Sequence, residues 1–372
     1  MIRVDLLTDA KKGLYEEFLD NAEISSAMYS LEWSRAICDL GKDSSYFIVA
    51  EEDGKIVGVL PLYYYKGRFG NLLNTNAWHT ISGITCLSNC DRKRVYEELL
   101  DYCLYLAKEL DCSVVSIGTN PFLEDKEYYF EVFKPDYVME NFVQYICLKE
   151  IFDENGVIVH PNYAKRTNLS RNLEKAKLQK VVISDVQSED NVNQLFKIQE
   201  KRMKELGTSP FPPSFMHSVL KNLTLHGKGK YLFAFIDEKM VAGCLFLANK
   251  KVMDIYMMCM DSDYKEVRMN YALTDYMLKW GYKNGISFFH WMSSPCKGDG
   301  VYKWKEQWGS RERTFWYLTR ILGDISQWRR NSLSELAKAY EWHYLLPFNL
   351  LANSNKNFTT KNELTSFLKS FQ

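Results

Sequence analysis

The chain has 372 residues, 46% hydrophobic and 25% charged, with 47 basic against 47 acidic side chains. That is enough material for two or three globular domains. Zero formal net charge argues against a strongly basic nucleic-acid binder, so no DNA partner is expected, although a local basic patch can still grip one phosphate. No run approaches the roughly 18–20 uncharged apolar residues of a membrane-spanning helix. The opening MIRVDLLTDAKKGLYEEF carries acids and a Lys pair where a signal peptide has an apolar block, and a cytoplasmic location is expected.

The nine Cys stand mostly alone inside apolar runs, as at Cys103, Cys147, Cys244 and Cys259, with neither CxxC pairs nor zinc-type Cys/His spacing. Disulfides and bound metal are not expected.

Along the chain two blocks recur in the same order. Tyr46–Gly58 (YFIVAEEDGKIVG) and Tyr231–Gly243 (YLFAFIDEKMVAG) both read as β-hairpins with a Gly twelve residues after the Tyr. Tyr102–Pro121 and Tyr276–Pro295 then share helix, short turn, strand, small polar residues and Pro, an alignment that places Ser116 against His290. A helical stretch precedes each hairpin, Ser30–Leu40 and Ser214–Leu223. Two α+β domains of one fold account for the repetition, each a mixed sheet flanked by helices, over about residues 1–150 and 151–322. Residues 323–372 are expected to form a helical tail, packed or oligomerising.

Between the halves, the span from His160 to Lys180 holds Lys165, Arg166, Arg171, Lys175, Lys177 and Lys180 against the single acid Glu174. Lys165, Arg166 and Arg171 cluster at one end of a predicted helix. Guanidinium groups so placed bind phosphate or diphosphate; a solvated basic face is the alternative. The next helix is expected from about Glu189 to Leu206.

With these blocks in place, the segments AKRTNLSRNLEKA and FAFIDEKMVAGCLFL, and the run from Asn270 to Gly309 ending YKWKEQWG, resemble the GNAT acyltransferase superfamily. The tandem form is that of Fem-type peptidyltransferases and bacterial polysaccharide-associated acyltransferases. The resemblance covers about residues 10–320. It implies an acyltransferase whose acceptor, an amino sugar or other polar cell-envelope precursor, free or linked to a lipid or nucleotide, lies between the domains. It also implies an acyl donor, as CoA thioester, carrier-protein thioester or charged tRNA. An aminoacyl-tRNA-dependent peptidyltransferase and an inactive GNAT-like binding protein are the alternatives. One departure bears on the donor. Where the superfamily carries a Gly-rich loop whose N–H groups hold the CoA pyrophosphate, Asp261–Ala272 reads DSDYKEVRMNYA, without Gly.

The resemblance points to Lys305, between Trp304 and Trp308, as the cation aimed at the developing oxyanion; a Lys lying along Trp308 is the structural alternative. Lys303 is expected to face solvent. His290, in a strand bordering the donor cleft of the superfamily, is a candidate general base or a hydrogen-bonded core His. Asp254 and Tyr256 alternate along the neighbouring strand and share a face, with Tyr256 as proton donor or core Tyr. Asn270 would begin the following helix, as a substrate contact or an N-cap. Trp304 and Asp254 complete the expected binding set. Nucleophile elbow, P-loop, zinc-protease and calcium-loop motifs are absent.

Overall fold

The computed structural model describes residues 2–294 and 296–343. In chain order it runs β1 (Arg3–Leu6), α1 (Lys12–Asn21), α2 (Leu31–Cys38), β2 (Asp43–Glu52), β3 (Lys55–Tyr65), β4 (Asn71–Asn74), β5 (Thr85–Cys86) and α3 (Arg92–Glu109). Then come β6 (Cys112–Gly118), α4 (Lys126–Val132), β7 (Tyr137–Cys147), α5 (Leu148–Ile151), α6 (Asn168–Leu178), β8 (Val182–Ser184), α7 (Glu189–Glu205) and α8 (Pro213–Asn222). The remainder is β9 (Gly229–Ile236), β10 (Lys239–Ala248), β11 (Val252–Met260), α9 (Met269–Lys283), β12 (Phe288–Ser293), α10 (Gly300–Glu306), β13 (Arg311–Ile321), α11 (Ser326–Arg330) and α12 (Leu333–Ala339).

Both predicted hairpins form. β2 turns into β3 at Asp53 and Gly54 (φ 50° and 76°), and β9 into β10 at Asp237 and Glu238 (φ 45° and 64°). Two successive left-handed residues are the pattern of the two-residue turn whose twist matches paired strands. The repeated Gly has a packing cause: a Cβ on Gly58 would clash with Val95 of α3, and one on Gly243 would lie 2.6 Å from Leu195 of α7. Each bare strand position lets a helix side chain close onto the sheet.

One compact unit comprises residues 2–30, 41–142 and the described residues from Arg313 onward. Its sheet has the order β1-β2-β3-β4-β6-β13, with β5 on β3; β4 and β6 are its parallel pair. The crossover helix α3 buries Val95, Tyr96, Leu99, Leu100, Cys103, Leu106 and Ala107, the spacing of a helix with one face on the sheet.

The second unit comprises residues 31–40 and 143–312. Its sheet has the order β7-β12-β11-β10-β9-β8, with β11 and β12 parallel and α9 as their crossover. Met253, Ile255, Phe289 and Trp291 join Met269, Leu273, Met277 and Leu278 of α9 in one core, so Asp254 and His290 point to the other face.

The units differ from the contiguous blocks 1–150 and 151–322 in three segments. Residues 31–40 and 143–150, the latter with the end of β7, belong to the second unit, and 313–322, most of β13, belongs to the first. β7 pairs with β12 and β13 with β6, strand pairing across the chain that no local pattern reports. α2 packs in the second unit: Trp33 meets Phe215 of α8 (ring centroids 6.1 Å apart) and Tyr256 of β11 (5.2 Å), and Ser218 Oγ donates to Ala36 O at 2.8 Å. An amphipathic pattern shows that a helix has a buried face, not which sheet it covers. The described part of the tail packs in the first unit. Trp328 Nε1 donates to Tyr340 Oη (2.7 Å), Tyr340 Oη donates to Gly70 O (2.8 Å), and His343 Nε2 lies 2.6 Å from Asp43 Oδ1. Residues 344–372, part of the expected helical tail, lie outside the described residues.

Candidate active site

The parallel ladder of the second unit is short. β11 and β12 pair at Val252 with Phe288, Met253 with Phe289 and Asp254 with His290. Beyond that rung β11 continues to Met260 against β10, while β12 shifts register between His290 and Ser293, and Met292 adopts φ 58°. The two strands part there. In the other unit the parallel pair β4–β6 ends at Asn74 with Ser116, the residue the duplication aligned with His290.

At the parting point the Asp254 carboxylate lies 2.6 Å from His290 Nδ1, with the two residues 2% and 1% exposed. A carboxylate at Nδ1 favours the tautomer that carries its proton there, with Nε2 as the ring's acceptor. Nε2 is itself buried.

Lys305, on α10, is 7% exposed. Its Nζ donates to Trp291 O at 3.1 Å and Ser293 O at 3.2 Å, with Met292 O at 3.5 Å, all on the departing end of β12. Ser310 Oγ donates to Lys305 O (2.7 Å) and accepts from Trp291 Nε1 (2.6 Å), so the lysine is fixed at both ends to the strand it caps. The ammonium is thus shielded from water and met by carbonyl oxygens. Trp304 packs with Trp291, Trp308 and Tyr271 at centroid distances of 5.1 to 6.2 Å. Lys303 is exposed, as expected.

Tyr256, past the parting point on β11, packs against Trp33, Phe211 and Phe215. Asn270 does not begin its helix. Arg268, in the left-handed region (φ 63°), precedes the first helical residue Met269, and Asn270 follows in the first turn without a capping side-chain bond. Lys165, Arg166 and Arg171 are exposed around the start of α6, whose N-cap is Thr167, and make no ion pair among the described residues. This end of α6 is tied to the end of α10: Asn162 Nδ2 donates to Gln307 O at 2.8 Å, and Gln307 Nε2 donates to Tyr271 Oη at 3.2 Å.

The segment that would hold a pyrophosphate is a 3-10 helix, Ser262–Val267. Lys201 Nζ contacts Asp261 (2.6 Å) and Asp263 (2.8 Å), and Lys175 Nζ contacts Glu266 (3.2 Å). Partial burial would raise the Asp261 carboxyl, yet Lys201 holds it below its ordinary value; Lys175 and Arg268 do the same for Glu266. An incoming diphosphate meets three carboxylates whose cations are already engaged.

Sequence reasoning missed Gln144 and Ser294. Ser294 Oγ donates to Gln144 Oε1 (2.8 Å) and Gln144 Nε2 donates to Tyr302 O (3.1 Å), joining β7 to the residue that follows β12 and to α10, the helix that carries Lys305. A Gln inside an apolar strand, QYICL, was the available signal. Among the described residues no group of three or more His, Cys, Asp or Glu is placed to hold a metal ion.

Comparison with known proteins bears on the family and the fold. Residues 164–306 match the model of an acetyltransferase (GNAT) domain, and residues 11–129 that of the acetyltransferase (GNAT) family. No curated protein matches the sequence. Among solved structures, FemX is similar at TM-score 0.65 and 11% identity, over 85% of this chain and 97% of its own. L-PGS from Bacillus licheniformis is similar at 0.57 and 13%, over 94% and 98%. A tandem GNAT protein from the clavulanic acid biosynthesis pathway is similar at 0.54 and 11%, over 87% and 99%. The chain belongs to the tandem GNAT acyltransferases, with the fold that FemX shares.

Proposed function

We propose that the second unit transfers an acyl group to a polar amine or hydroxyl acceptor, with the donor carbonyl lodged where β11 and β12 part. The observation that carries this reading is the rung at which they part. It bears a buried carboxylate–imidazole pair in the second unit, whereas the equivalent rung of the first unit bears Asn74 and Ser116, neither of which titrates in the working range of a base.

On this reading His290 Nε2 accepts the proton of the attacking nucleophile, and Asp254 stabilises the imidazolium that forms. Negative charge gathers meanwhile on the carbonyl oxygen. Of the three carbonyls around Lys305 Nζ, Met292 O is the most distant, and an oxyanion in its place would be the stronger acceptor. Tyr256 supplies the proton to the leaving group.

The Fem-type fold and the uncompensated Lys165, Arg166 and Arg171 support an acceptor that carries phosphate, an amino sugar or similar cell-envelope precursor linked to a nucleotide or lipid, used in the cytoplasm. Acyl-CoA is the donor the GNAT family suggests. Asp261, Asp263 and Glu266 in the pyrophosphate position favour a second reading, in which the donor is a charged tRNA. Thermal-shift and native mass-spectrometric screening of acyl-CoAs, acyl carrier protein and aminoacyl-tRNA separates them. Stabilisation by charged tRNA alone selects the second. Tight binding of an acceptor with no transfer from any donor would reject catalysis altogether and make the chain a binding protein.

A further inference from the structure

A groove of about 520 Å³ opens in the second unit between α6, the edge strand β8 and α9. Its α9 wall is a single helical stripe, Ala272, Tyr276, Trp280 and Lys283, spaced by three and four residues. Eleven residues separate Ala272 from Lys283, so the stripe is about 16 Å long at 1.5 Å per residue. Leu173, Ala176, Val181 and Ile183 supply apolar side chains opposite. None of these residues belongs to the β11–β12 site.

The charges along the groove are unequal. Lys177, Lys279 and Lys283 stand at its margin against Asp275 alone. Asp275 is bonded to Lys279 at 2.7 Å, while Lys177 and Lys283 make no ion pair among the described residues. An apolar trough with two uncompensated ammonium groups is complementary to a molecule with an alkyl chain and a head of about two negative charges. A carboxylate supplies one charge, whereas a phosphate monoester supplies about two at neutral pH. The volume lies within the range of small-molecule sites, roughly 300–1,000 Å³.

We propose that this groove binds a single-chain alkyl phosphate, the chain along Tyr276 and Trp280 and the phosphate between Lys177 and Lys283. The site is independent of the acyl-transfer reading, because its occupancy is measured without turnover.

The test is isothermal titration of the full chain with dodecyl phosphate below its micelle concentration, beside inorganic phosphate, dodecanoate and dodecanol. Saturable one-to-one binding of dodecyl phosphate is expected, tighter than each of the other three. In Lys177→Glu/Lys283→Glu, both substituted on exposed positions, its affinity should fall by at least about tenfold, the scale of a lost charged hydrogen bond. Ala272→Trp, which fills the trough, should abolish binding of dodecyl phosphate and dodecanol alike, and circular dichroism checks its fold. Equal affinity for dodecyl phosphate in the double Glu variant, inorganic phosphate binding as tightly as dodecyl phosphate, or no saturation at all would each overturn the proposal.

Discussion

Asp254 and His290 face each other on the last rung of the β11–β12 ladder, carboxylate to imidazole at 2.6 Å, with nearly no exposure to solvent. One partner of such a pair cannot be removed cheaply, because the other is left buried without its counterpart. Asp254→Ala is expected to lower unfolding stability by about 1–3 kcal/mol, the cost of a buried ring nitrogen left without its hydrogen-bond partner. Denaturant unfolding of the two proteins measures this, and a loss under about 1 kcal/mol would show that the pair is not coupled as described.

Asp125, in the first unit, gives stability a pH dependence of its own. Burial pushes its carboxyl up to about 7, against the hydrogen bond from Tyr96 (2.6 Å) and the field of Arg92, which pull it down. The unfolded chain releases this proton near pH 4, so between about pH 4 and 7 the folded state binds more protons than the unfolded one. This contribution to stability is therefore greatest in acid, is lost as pH rises through about 7, and is level above that. Asp125→Asn should remove the slope and raise stability at pH 8 by on the order of a few kcal/mol. Parallel unfolding curves at pH 5 and pH 8 decide it; an unchanged slope in the Asn variant counts against the assignment.

What the sequence disclosed, and what it withheld, follows from the range of the forces involved. Turn residues and alternation are local, so the hairpins at Asp53–Gly54 and Asp237–Glu238 and the shared face of Asp254 and Tyr256 were legible. So was the alignment of Ser116 with His290, although the partners Asn74 and Asp254 are set by long-range strand register. The placement of α2 with α8, the left-handed Met292 that bends β12 toward Lys305, and the Gln144–Ser294 bond depend on contacts distant in sequence. No spacing rule reports them.

The packing of the described tail makes a separable prediction. His343 is bonded to Asp43, stacks on Tyr65 at 4.1 Å and follows Trp342, whose ring stacks on Trp78 at 5.1 Å. In His343→Ala, amides of α11 and α12 should exchange hydrogen faster while those of α9 keep their protection. The stability cost is expected at about 1–3 kcal/mol, since Asp43 loses a buried partner. Unaltered exchange across residues 326–343 would mean that the segment is held by its other contacts.

For the basic start of α6, Arg166→Ala and Arg171→Ala should raise the acceptor's KM more than they lower kcat. A phosphate contact of this kind is made equally in ground and transition states. Each loss is expected at about 1.5–3 kcal/mol. Steady-state kinetics with the acceptor varied provides the check, and an unchanged KM in both variants would return the cluster to a solvated helix face.

The central claim, that acyl transfer takes place where β12 departs toward Lys305, is tested most directly by turnover of Lys305→Ala beside Lys303→Ala. The two substitutions remove the same charge from one helix, but Lys305 is buried on the carbonyls of Trp291 and Ser293 whereas Lys303 faces solvent. Turnover should fall by about 10²–10³ in Lys305→Ala, with Lys305→Arg recovering part of it, while Lys303→Ala stays near the parent. Equal turnover in the two Ala variants, or a Lys305→Ala protein that differs from its parent only in melting temperature, would contradict the claim and leave Lys305 as a clamp on the strand end.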